Sequence, residues 1–108
     1  MESAYLPENV YKLKESIVYA EGSVVSKIIN KTNGGNVTLF AFDKDQFLSE
    51  HTAPFDAIVI VIDGHGKITI NKKDYTLEEN EMIIMPANIP HAVYGIDKFK
   101  MLLIMLKD

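Results

Sequence analysis

From Ser23 onward the chain runs in short apolar and β-branched stretches broken by turn-forming clusters. Ser23 to Ile29 is one such stretch, bounded by Gly22 and Asn30. Residues 32–36, Thr-Asn-Gly-Gly-Asn, form a strong turn signal, because Asn and Gly adopt positive φ at little cost. Val37 to Phe42 and Ala57 to Ile62 read as strands, and Asp63-Gly64-His65-Gly66 as a turn between strands. Lys67 to Asn71 alternates polar and apolar residues, so one of its faces meets water. Lys72-Lys73-Asp74 turns the chain again, before Tyr75 to Leu77, Met82 to Met85, His91 to Tyr94 and Phe99 to Leu106. Many short strands at this spacing predict an all-β sandwich or barrel.

Two strands depart from alternation. Ala57 to Ile62 and Met101 to Leu106 are apolar on both faces. Only one face of a small barrel looks inward, so their outer faces need a cover, either the N-terminal segment or a second copy of the chain. A homodimer is the expectation. The covering segment is residues 1–22, read as an N-terminal arm, and residues 23–108 as the barrel. Pro7 opens a helical turn there and Val10, Leu13 and Ile17 recur at helical spacing, although residues 16–19 equally fit a short strand.

The length of 108 residues fits one domain. A net charge of −4, with lysines scattered among acids, argues against nucleic acid as a partner. The absence of cysteine excludes disulfides, thiolate metal ligands and a cysteine nucleophile. No secretory leader is visible, and no apolar run approaches the length of a membrane span. A cytoplasmic location is expected. No phosphate loop or Gly-x-Ser-x-Gly nucleophile elbow occurs.

Chemistry concentrates at two histidines. His51 lies thirteen residues before Gly64, and His91 follows the run Asn-Glu-Met-Ile-Ile-Met-Pro-Ala-Asn-Ile-Pro. Each stands beside an apolar strand. In this spacing the chain resembles the cupin family, in particular its small single-domain conserved-barrel members, over about residues 37–106. Gly64, Pro86, His51 and His91 match the family's two motifs. Elsewhere the chain departs from them. Counting back from Gly64, Ala57 stands where the glutamate would be, Ala53 where a second histidine would be, and Asp45 where the opening glycine would be. In the second motif Asn80 and Asn88 replace glycines, and Gly95 replaces an asparagine. Asn tolerates the left-handed region better than most residues, so Asn80 and Asn88 suit those turns. Ala53 and Ala57 remove donor atoms.

The resemblance implies a jelly-roll barrel of about eight or more strands whose mouth holds a small molecule. His51 and His91 would be its polar anchors, and Ala53 and Ala57 a widened apolar wall. It also implies a divalent transition metal (Zn, Ni, Fe or Mn), here held weakly by His51 and His91 alone, because such ions take at least three protein ligands when bound tightly. An alternative is a metal-dependent oxygenase or isomerase with that two-histidine site. Glu50, Gln46 and Asp56 are neighbouring oxygen donors, but strand alternation turns Asp56 away if position 57 faces inward. Each histidine also has a plainer reading: His91 as a core residue bonded to backbone, His51 as a loop residue. His65 is expected at a solvent-facing turn, Lys72-Lys73 at a hairpin tip, Phe40 and Phe42 on a core face with pocket lining as the alternative, and Met82, Met85, Met101 and Met105 as core filling.

Overall fold

Eight strands and a single 3-10 turn (Leu13–Glu15) make up the regular structure of residues 5–107, the span described by the computed structural model. Residues 1–4 of the expected arm and residue 108 of the expected barrel lie outside it. The strands are β1 (Val24–Thr32), β2 (Gly35–Phe42), β3 (Phe47–His51), β4 (Asp56–Ile70), β5 (Lys73–Glu78), β6 (Met82–Met85), β7 (His91–Tyr94) and β8 (Phe99–Leu106). All pair antiparallel. One sheet runs β1-β2-β8-β4-β6 and the other β3-β7-β4-β5. The two curl around a shared interior as an all-β jelly roll.

β4 joins the two sheets, and here the structure corrects the sequence reading. Asp63-Gly64-His65-Gly66 does not reverse the chain; it lies within one fifteen-residue strand. A register shift between Val61 and Asp63 against β8 marks a bulge, and Gly64 follows it at φ +68°. Bulges bend a strand and raise its twist. This one carries β4 from β8 and β6, which flank residues 57–60, to β7 and β5, which flank residues 67–70. His65 is accordingly half-buried and paired with Glu78, not at a turn tip.

β3 was not anticipated. The reversal does occur at the β4–β5 hairpin, where Asn71 and Lys72 both take positive φ. In the β1–β2 turn the positive φ falls on Gly35, not on Asn33 or Gly34.

The core has two parts. Between the sheets lie Phe42, Val59, Val61, Ile68, Val93, Phe99 and Met101, with the Phe42 and Phe99 rings stacked 4.6 Å apart. Gly66 is bare because a Cβ there would enter the Phe99 ring. On the outer face of the larger sheet, Leu39, Ala41 and Ile62 are covered by Ile17 from the N-terminal segment. Full burial of the Ile17 side chain contributes roughly 1.5–3 kcal/mol. Polar contacts hold the segment in place. The Tyr19 hydroxyl donates to Asp63 at 2.7 Å, the buried Lys100 ammonium donates to the Lys14 carbonyl and sits 4.9 Å from the Tyr19 ring centre, and Lys14 pairs with Glu79. Burial, then the Asp63 carboxylate, holds the Tyr19 hydroxyl above the ordinary phenol range. Among its described residues the segment forms neither a longer helix nor a strand; beyond the 3-10 turn they are irregular.

Candidate functional site

His51 enters the interior because β3 carries a bulge. Leu48 pairs with Val93 and His51 with His91, so β3 spends three steps where β7 spends two. Strict alternation from Leu48 would turn Glu50 inward and His51 outward. The extra residue inverts that order. Glu50 is exposed, and the His51 ring meets the His91 ring edge-on, with centroids 4.4 Å apart.

Both rings are oriented by backbone. His51 Nδ1–H donates to the Ser49 carbonyl at 2.8 Å, and His91 Nδ1–H to the Ile89 carbonyl at 3.2 Å. The Nε2 atoms face each other across 3.1 Å. His91 is 4% exposed; burial, then the neighbouring His51 ring, holds its imidazole below the ordinary range. His91 is thus bonded to backbone and also lies beside the cavity described next.

The dyad lines a cavity of about 220 Å³ between the sheets. Ala53 and Ala57 line it, as do Phe40, Leu48, Val93, Met85, Met101, Leu103 and Met105. Among these lining side chains only the two histidines are polar. Four residues singled out from sequence, His51, His91, Ala53 and Ala57, therefore share one space. Leu48, Met85, Val93, Met101, Leu103 and Met105 join them without having been marked as site residues, and Phe40 lines the cavity as its alternative reading had it. Met82 to Met85 and Met101 to Leu106 are apolar throughout, so no alternation marks which of their side chains face the cavity.

The remaining oxygen donors lie elsewhere. Glu50, Gln46 and Asp56 do not line the cavity. Asp56 instead accepts from the Ala87 N–H at 2.8 Å, and Asn88 N–H donates to the Ala53 carbonyl at 2.7 Å. These two bonds tie the loop after β6 to the first residue of β4 and to the loop after β3. Three positions where the family motif has glycine, Asp45, Asn80 and Asn88, take φ of +67°, +70° and +63°. Among the described residues, no group of three His, Cys, Asp or Glu side chains is placed to hold a metal ion. Two imidazoles without a carboxylate do not make a tight site for a resident divalent ion.

Residues 38–106 match the model of the cupin domain, well over half of the chain. The chain belongs to the cupin family. Solved structures agree with this cupin along its length. It is 28% identical to a cupin superfamily protein from Desulfitobacterium hafniense, with both chains covered in full and a TM-score of 0.91. It is 32% identical to a conserved protein of unknown function from Streptococcus pyogenes, over 100% of this chain and 91% of that one, with a TM-score of 0.88. A cupin 2 conserved barrel domain protein from Leptotrichia buccalis is 41% identical over 90% of this chain, which spans 47% of that protein, with a TM-score of 0.87. No curated protein matches the chain. No helix among the described residues is long and apolar enough to cross a membrane.

Proposed function

We propose that this cupin binds a small molecule between its sheets, with His51 and His91 as polar anchors and Ala53 and Ala57 as part of an apolar wall. The observation that carries the reading is the 220 Å³ cavity whose only polar lining side chains are the two convergent imidazoles. Pockets of this kind bind by shape and a few placed polar groups. At about 220 Å³ the cavity is smaller than the roughly 300–1,000 Å³ of pockets for drug-sized molecules, which points to a smaller ligand. With both Nδ1–H groups engaged by carbonyls, the Nε2 atoms are free to accept a hydrogen bond from a hydroxyl or amide on the ligand. The test is a thermal-shift and calorimetric screen of the wild type against the His51→Ala/His91→Ala double variant. A compound that stabilises the first and not the second supports the reading. A screen in which no molecule distinguishes them refutes it.

A second reading, a metal-dependent oxygenase or isomerase, is favoured by one observation. A separation of 3.1 Å suits two nitrogens bound side by side to one ion at about 2.1 Å. His51 and His91 would hold such an ion weakly, and it would supply Lewis-acid or redox chemistry. Elemental analysis after chelator-free purification separates the readings: about one divalent ion per chain, lost in His51→Ala, favours the enzyme.

Self-association and a cytoplasmic location complete the proposal. Registers place Val37, Ile104, Ile58 and Ile84 in one apolar row on the outer face of the larger sheet, beside the rows that Ile17 covers. Met82, Ile84 and Leu106 stay about half exposed there, which fits a second copy of the chain. The absence of cysteine fits a reducing compartment.

A further inference from the structure

Ala57 removes the carboxylate of the family motif, but its surroundings offer other donors. Its register partners are Met85 on β6 and Met105 on β8. Directly paired residues project to the same face of a sheet, so two thioethers flank the Ala57 methyl. Both line the cavity together with His51 and His91.

The imidazoles are arranged for an electrophile. A carbonyl oxygen only accepts, so the bonds to Ser49 and Ile89 place each ring's proton on Nδ1 and leave a lone pair on each Nε2. The two lone pairs meet across 3.1 Å, a repulsive contact unless a proton or a cation lies between them. A linear two-nitrogen site would hold the nitrogens about 4 Å apart, at bonds of roughly 2 Å each. The shorter gap is the bite of two ligands bound side by side, which leaves further positions on an ion to be filled. No other His, Cys, Asp or Glu among the described residues fills them. The thioethers are the remaining donors, and thioethers select soft ions such as Cu(I). The whole set is uncharged. A dication would enter this apolar cavity with no anion to offset its desolvation, whereas a monovalent ion brings less charge to desolvate.

We propose that His51, His91, Met85 and Met105 form a site for a soft monovalent metal ion, Cu(I) or its analogue Ag(I). The inference uses the same cavity as the small-molecule reading but does not require an organic ligand.

The test uses the full chain, freed of metal by chelator and kept reduced. It is titrated anaerobically with Cu(I) against a chromophoric competitor, and separately with Ag(I) and Zn(II). The expected result is one Cu(I) or Ag(I) per chain, bound at least a hundredfold more tightly than Zn(II). Ag(I) is expected to shift the methyl resonances of Met85 and Met105 and not that of the exposed Met82. Met85→Leu/Met105→Leu keeps core volume and is expected to lose at least tenfold in Cu(I) affinity; each single variant is expected to lose part of that. No stoichiometric uptake, a preference for Zn(II), or unmoved Met85 and Met105 methyls would overturn the inference. An organic compound that stabilises the protein while Cu(I) is refused leaves the small-molecule reading standing and this one refuted. Uptake of Cu(I) with no organic ligand found gives the reverse.

Discussion

Burial and the His51 ring hold His91 below the ordinary imidazole range, so the folded chain takes up this proton less readily than the unfolded chain. Stability from this residue is complete above the unfolded value of about 6.5 and is lost as pH falls through the lower folded value. Thermal midpoints measured from pH 8 to pH 5 should decline on acidification, and His91→Asn should flatten the decline. At the neighbouring wall, Ala57→Glu places a carboxylate among Met85 and Met105 and restores a third hard donor beside the dyad. Without metal the variant should lose about 1–3 kcal/mol, because the new group is buried without a partner. Saturating Mn(II) or Ni(II) should recover the loss, and the same ions should move the wild-type melting curve much less. His51 and His91 were legible as a pair from the spacing of the chain. The direction of His51 was not, because a bulge adds one backbone residue and leaves no mark in composition.

Strands carry their own version of that lesson. Asp63-Gly64-His65-Gly66 reads as a turn because its residues tolerate positive φ, and Gly64 does adopt φ +68°. Composition reported the backbone angle correctly and said nothing about whether the chain reverses. A kink inside β4 and a turn between two strands use the same residues. β3 escaped notice for a different reason: Phe47-Leu48-Ser49-Glu50-His51 is short and mostly polar, and its bulge spoils the period-two pattern. The asparagines at positions 80 and 88 were legible as substitutes for glycine, and both take left-handed φ. Gly64→Ala should therefore cost more than a typical surface change. It forces a side chain into left-handed φ and into the Lys98 carbonyl, so a loss of about 1–3 kcal/mol or more is expected, read from the midpoint of denaturant unfolding.

At the scale of the whole molecule, the doubly apolar strands β4 and β8 identified an outer face that needs a cover. Ile17 supplies part of it, and Tyr19 with Lys100 fastens the segment that brings it there. The row through Ile58, Ile84 and Ile104 stays outside that cover, and how far the segment reached was not readable from its sequence. If this row pairs two copies, sedimentation should find a dimer in the wild type and a monomer in Ile84→Glu, with the thermal midpoint changed little because Ile84 is 51% exposed in the single chain. A monomeric wild type would refute the pairing.

One strand serving both sheets also decides where this chain tolerates being cut. New termini placed at Asn71–Lys72, on an exposed hairpin tip, leave β4 whole, and a circular permutant opened there should fold. Opening the chain at Gly64–His65 breaks β4 at the bulge where it passes from one sheet to the other, so its two halves lie at opposite ends of the permuted chain, and circular dichroism should show that this permutant does not assemble.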